Sequence, residues 1–155
     1  MLDLGAAPGG WTQVAAKIAG KSGTVIGLDV LKMDTIAGAT VITGDCRDAA
    51  VVAQITSVLG DQPLDLVLSD MAPNISGIAL QDEAAAEELA QIALEFCQTL
   101  LKPGGALVIK LFQFADTDAI VADIKRAFSS VSRRKPDASR ARSREFYVVA
   151  KGFEL

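Results

Sequence analysis

The chain has 155 residues, half of them apolar, with a net charge of −4, two cysteines and no histidine. That length and composition support one domain with its own core. They exclude a disordered chain, a membrane span of roughly 18 apolar residues and a disulfide framework, leaving a reduced, cytoplasmic setting without a secretory leader as the expectation. The lack of histidine excludes His-based acid–base chemistry, the usual nucleophile triads and most zinc sites, so a general base must come from Lys, Asp, Glu or a rarer group.

Short apolar runs alternate with helix-period segments, the rhythm of a parallel sheet with crossover helices. Strands are expected at "MLDL", "TVIGLDV" and "ATVIT", with a helix at "GGWTQVAAKIAG" between the first two. A helix at "DAAVVAQITSVLG", ended by Gly60, leads to a buried strand at "LDLVLSD". From Gln81 to Leu101, apolar residues such as Ala85, Leu89, Ile92, Phe96 and Leu100 recur at three- and four-residue steps, which predicts a core-packing helix. The turn "KPGG" launches "ALVIKLFQF", Ala106 to Phe114. A helix over about Asp116–Phe128, a basic strip and a terminal strand "EFYVVAKGF" follow. No repeat or linker interrupts this order, so one domain over residues 1–155 is expected, built on a doubly wound, mostly parallel α/β sheet.

The run "ALVIKLFQF" poses a chemical question, because every immediate neighbour of Lys110 is apolar. Burying an unpaired ammonium costs several kcal/mol or strips its proton. In open α/β sheets ligands bind beyond the carboxyl ends of the strands, so the residues after each strand are the ones to inspect. After the first comes "DLGAAPGGW". Glycines at a strand-to-helix turn let backbone approach a ligand, and the helix N-terminus offers free N–H groups. The G-x-G-x-x-G dinucleotide spacing is not met, since Ala7 stands where the second glycine belongs.

Asp29 follows the second strand, where a carboxylate can accept hydrogen bonds from ribose hydroxyls. "GDCRD" and "SDMAPN" place Asp45 and Asp70 after the third and fourth strands. With Asp3 these make four acids at one sheet edge. Such a rim suits S-adenosylmethionine (SAM), which carries positive charge, and repels the pyrophosphate of NAD. From Val131 to Arg144, "VSRRKPDASRARSR", six basic residues and one acid give a local +5 and leave −9 for the rest. A basic strip on an acidic body fits a protein that grips a polyanion at one place, against the competing reading of a solvated loop.

Together "LGAAPGGW", "GDCRD", "SDMAPNISG", "VIKLFQ" and "RKPDASRARSREFYVVA" resemble the RrmJ/FtsJ (RlmE) family of large-subunit ribosomal RNA 2′-O-ribose methyltransferases, over essentially the whole chain. The resemblance implies a Rossmann-like methyltransferase fold with an antiparallel C-terminal strand. It also implies transfer of a methyl group from SAM to the 2′-hydroxyl of a uridine in ribosomal RNA, free or within the large subunit, by a monomer. Gly9 and Trp11 would then line the SAM site, Asp29 would hold its ribose, Asp45 its adenine end and Asp70 its methionine end. Lys110 would be the proton acceptor with Glu145 beside it, Asp70 sharing the reacting centre, and no metal is required. Either a neutral Lys110 amine takes the hydroxyl proton, or its ammonium orients the oxygen and stabilises developing charge. The family pattern further includes a lysine on an N-terminal helical segment upstream of these residues, so SAM binding with weak or absent transfer by the 155-residue chain alone is expected, with a non-catalytic SAM- or RNA-binding fragment as the alternative. A cytosine-C5 mechanism is disfavoured because neither Cys46 nor Cys97 follows a proline.

Overall fold

The computed structural model describes residues 1–136 and 144–154. Strand β1 (Leu2–Leu4) leads through helix α1 (Gly10–Ala19) to β2 (Ile26–Asp29) and β3 (Thr40–Thr43). Helix α2 (Ala49–Leu59) then precedes β4 (Leu64–Ser69), and α3 (Ala79–Leu100) precedes β5 (Leu101–Phe112). Helix α4 (Thr117–Ala127), β6 (Phe128–Arg134) and β7 (Glu145–Phe153) follow.

The strands form one sheet in the order β3-β2-β1-β4-β5-β7-β6. Strands β1 to β5 pair in parallel, while β7 runs antiparallel to both β5 and β6. This is the doubly wound, Rossmann-like sheet with an antiparallel C-terminal strand. Helices on both faces bury the central strands twice over, which is why they read as continuous apolar runs. Leu2, Leu4, Ile26, Leu28, Val67, Leu107, Ile109 and Val148 are all essentially inaccessible to solvent.

The helices are set by the same periodic logic. In α2, Val51, Ile55 and Leu59 lie four apart and are buried, and the Asp48 side chain caps the first turn by accepting from the Ala50 N–H at 2.9 Å. In α4, Ile120, Val121, Ile124 and Ala127 form the buried stripe. Helix α3 is anchored at its start by Asp82, whose carboxylate accepts from the Ser76 N–H and hydroxyl at 2.8 and 2.7 Å. Those bonds hold its carboxyl below the usual range and pin the segment between β4 and α3.

Two local expectations are corrected. Phe128 does not end a helix. It starts β6, which carries the first part of the basic strip, Val131–Arg134, as the outermost strand beside β7. An edge strand needs only one apolar face and one partner, so "FSSVSRR" reads as polar coil although it pairs. The remainder of the strip, residues 137–143, lies outside the described residues, which places Arg140 and Arg142 beyond structural comment. "KPGG" is not a free turn but an irregularity within β5. Leu101 pairs with Leu64, and regular pairing resumes at Ala106 opposite Leu66.

Strand order reverses between β1 and β4, since β1 connects outward to β2 and the chain later returns to β4 on its other side. The carboxyl ends of β1, β2, β3 and β4 therefore surround a natural crevice.

Candidate active site

The first turn shapes one wall of that crevice. The N–H groups of Gly5 and Ala6 both donate to the Leu28 carbonyl, at 2.9 and 3.0 Å, folding the chain sharply off β1. Gly5 sits at φ 72°, and a Cβ there would lie 2.9 Å from the Met71 backbone nitrogen, so no larger residue fits. Gly9 caps α1 at φ 120°.

A cleft of about 670 Å³ opens above this turn, within the range of small-molecule sites. Asp29, Asp45, Asp70 and Glu88 face Arg47 and Lys110 along its walls, four carboxylates against two cations. Asp29 accepts from the Ala7 and Leu31 N–H groups, one on each oxygen at 2.9 Å, which fixes the carboxylate and leaves each oxygen a further lone pair. Arg47 forks onto Asp45, with Nε 3.0 Å from Oδ1 and a terminal nitrogen 2.9 Å from Oδ2. Its other terminal nitrogen reaches Glu88 on α3 at 3.4 Å. The bonds to Arg47 hold the Asp45 carboxyl below its usual range. Val30 and Leu31 line the cleft beside Asp29 and remain about two-thirds exposed, apolar surface with nothing else to cover it.

Asp3 is placed differently from the other three acids of the expected rim. It lies inside β1, 1% exposed, and accepts the Thr12 hydroxyl at 2.6 Å. Gly27 on the adjacent strand makes room, since a Cβ there would come 2.8 Å from the Thr12 oxygen. Burial pushes the Asp3 carboxyl up to about 6, and the nearby charges of Asp70 and Asp29 add to the effect. It is a buried acid behind the rim, outside the cleft lining.

The lysine of the buried strand is paired. Lys110 Nζ lies 3.2 Å from Asp70 Oδ1, with its side chain only 10% exposed. Tyr147, directly opposite Lys110 on β7, donates its hydroxyl to the same Asp70 oxygen at 3.1 Å. Burial and the Asp70 charge raise the Tyr147 phenol to about 12, so it remains a donor at neutral pH. The Lys110 ammonium also lies 5.7 Å from the Phe112 ring centre. A charge that the apolar run makes expensive is thus neutralised on the cleft wall by a carboxylate that a second donor holds in place.

One family model, described as FtsJ-like methyltransferase, matches residues 1–153. The ribosomal RNA large subunit methyltransferase E of Xanthomonas euvesicatoria is 49% identical over 98% of this chain and 72% of that protein. The protein of the same name from Cellvibrio japonicus is 50% identical over 99% of this chain and 72% of its own length. The chain belongs to the FtsJ-like methyltransferase family. Among solved structures, a Plasmodium falciparum protein described as a putative ribosomal RNA methyltransferase superposes with a TM-score of 0.83 at 28% identity, over 98% of this chain and 85% of that one. Human methyltransferase-like protein 13, solved with SAH, shares the fold at a TM-score of 0.65 and 14% identity, over 97% of this chain and 70% of that one.

In this FtsJ-like methyltransferase the cleft brings together Asp29, Asp45, Asp70 and Lys110 from four different strand ends. Gly9 and Trp11 are not part of its lining. Trp11 instead packs on Tyr147 with ring centres 5.5 Å apart, behind the Lys110–Asp70 pair. Glu145 stands opposite Phe112, two residues before Tyr147 on the same face of β7, and its charge is felt by the Tyr147 phenol. Arg47, Glu88 and Tyr147 are site residues that the sequence reading misses. Arg47 could have been found, as the cation inside "GDCRD". Tyr147 could not, because only the β5–β7 register sets it opposite Lys110. Among the described residues, no group of three His, Cys, Asp or Glu is arranged to hold a metal ion, and no helix is long and apolar enough to cross a membrane.

Proposed function

We propose that this protein methylates the ribose 2′-hydroxyl of a uridine in large-subunit ribosomal RNA, using SAM, as a monomer in the cytoplasm. The observation that carries the reading is the Lys110–Asp70 pair at 3.2 Å on the wall of the acidic cleft. The names of its relatives, ribosomal RNA large subunit methyltransferase E, supply the RNA.

The residues present fit SAM. A cleft of about 670 Å³ suits a nucleoside-sized ligand, and its excess of carboxylates suits a cationic one. A pyrophosphate would meet the same carboxylates, and the cleft's Arg47 is already tied to two of them. Asp29 would take the ribose hydroxyls on its remaining lone pairs, Asp45 the adenine amine, and Asp70 the ammonium of the methionine end. Gly9 and Trp11 would act from behind, Gly9 by starting α1 and Trp11 through its packing on Tyr147. When bound, SAM supplies an electrophilic methyl group on a positively charged sulfur.

Lys110 is the group assigned to the proton of the attacking hydroxyl. As the neutral amine, Lys110 would take that proton on Nζ; as the ammonium paired to Asp70, it would instead orient the oxygen and stabilise its developing charge. Asp70 and Tyr147 hold the lysine at one position, so the oxygen can be kept in line rather than found by diffusion. Glu145 flanks the same face and would steady the positive charge that develops there.

The test is methyl transfer from radiolabelled SAM to large ribosomal subunits that lack the modification, with the labelled nucleotide mapped. Label on a single uridine 2′-oxygen is the expected result. Label on a base nitrogen or carbon overturns the reading.

A further inference from the structure

Beyond the cleft, on the far side of the Lys110 strand, a second hollow of about 380 Å³ lies where β5, β6 and β7 meet. Its lining includes Arg133, Arg134, Lys135 and Arg144, with Glu145 as the only acid among the described residues. Three of these cations are held by specific neighbours. Arg133 pairs with Asp118 at 2.6 Å and lies 5.1 Å over the Phe146 ring, Lys135 Nζ donates to the Glu145 carbonyl at 2.8 Å, and Arg144 lies 5.9 Å over the Phe114 ring. Stacking an arginine on a ring fixes its plane without using its N–H donors. Among the described residues, Arg134 and Arg144 make no ion pair.

Register connects this hollow to the catalytic face. Arg134 pairs with Tyr147, and Tyr147 pairs with Lys110. Cross-strand partners share a face, so the three side chains form a row across the sheet, with the outer two backbones about 10 Å apart. A polyanion lying along that row would put one of its charges at the hollow while its reacting group met Lys110.

We propose that the hollow is a phosphodiester subsite for single-stranded RNA, holding a phosphate within two linkages of the methylated ribose through the N–H donors of Arg134 and Arg144. This rests on the proposed RNA substrate and adds where the strand is gripped and by what. Bidentate arginine forks suit a phosphate better than a neutral ligand. The subsite orients the strand; it touches no reacting atom.

The test measures binding of a fluorescein-labelled single-stranded RNA 12-mer by anisotropy, from low to moderate salt. Arg134→Gln with Arg144→Gln should weaken binding at least tenfold near 100 mM salt. The slope of log affinity against log salt should fall by about 0.7, the share of one lost phosphate contact on a single strand. Arg134→Lys with Arg144→Lys should keep the slope and lose only part of the affinity. A control with Lys125→Gln and Arg126→Gln, in the last turn of α4, should match wild type. Equal losses in that control, or an unchanged slope in the glutamine pair, overturn the subsite. Methyl transfer to ribosomal subunits is measured beside it. Salt-dependent RNA binding through the pair with the label on a base rather than a ribose supports the subsite and sinks the proposed activity. Transfer with an unaltered slope in the pair sinks the subsite alone.

Discussion

Replacing Asp3 with asparagine separates what the fold tolerates from what the site uses. The carboxyl is 1% exposed, and burial raises it from an ordinary 3.8 to about 6. A folded-state value above the unfolded one means the native protein holds this proton more tightly than the unfolded chain. Below about pH 4 both states are protonated and nothing is lost. Between about pH 4 and about pH 6 native stability falls as pH rises, and above that the full penalty persists. The gap corresponds to about 3 kcal/mol at neutral pH. An asparagine there carries no titrating charge, and its oxygen can still accept the Thr12 hydroxyl. Its amide nitrogen would lie where Asp3 Oδ1 is buried without a protein partner, which adds a pH-independent offset of about 1–3 kcal/mol. Urea denaturation of both proteins from pH 4 to 7.5 isolates the pH-dependent part. The stability difference should move in favour of Asp3→Asn by about 2–3 kcal/mol across that range. The same substitution removes a negative charge behind Asp29 and Asp70 and should weaken SAM binding. A stability difference that stays flat from pH 4 to 7 would refute the argument that burial strains this carboxylate.

Asp29→Ala should weaken SAM binding by about 1.5–3 kcal/mol, because it removes the ribose acceptor and frees the Ala7 and Leu31 N–H groups. Calorimetric titration reads this directly, and an unchanged affinity would take Asp29 out of the site. Tyr147→Phe removes one donor from Asp70 while leaving Lys110 in place, so the transfer rate should drop about 5- to 30-fold with little change in SAM affinity. A variant as fast as wild type would make the tyrosine a packing residue only. Gly27→Ala drives a methyl group to 2.8 Å from the Thr12 oxygen and 3.0 Å from Met33 Cε. It should cost about 1–3 kcal/mol of stability by thermal or chemical denaturation, and a neutral effect would show that the Asp3–Thr12 contact yields easily.

The parallel half of the fold was legible because its strands are buried on both faces and announce themselves as apolar runs. The acids that end those strands were legible for the same reason, since a doubly wound sheet assigns them one edge. The edge strand β6 was not, because Ser129, Ser130, Ser132, Arg133 and Arg134 satisfy a one-sided strand while resembling a loop. Partnership across the sheet was legible in part. Asp70 beside Lys110 was expected from their adjacent strand ends and is found at 3.2 Å, whereas Tyr147 follows only from antiparallel register. The rim of four acids proved to be three in the cleft and one beneath it, because Asp3 sits one residue short of the strand end. Glycine-loop reasoning pointed to the right turn, but Gly5 and Ala7 line the cleft whereas Gly9 caps the helix.

The most direct test is single-turnover methyl transfer by Lys110→Ala, measured with SAM affinity in the same preparation. Lys110 is assigned to the acceptor oxygen, and removing a positioned proton acceptor typically costs about 100- to 10,000-fold. The rate on unmodified large ribosomal subunits should fall at least 100-fold below wild type, with SAM affinity within about threefold. A Lys110→Ala protein that transfers methyl groups within tenfold of the wild-type rate, SAM bound normally, would contradict that assignment.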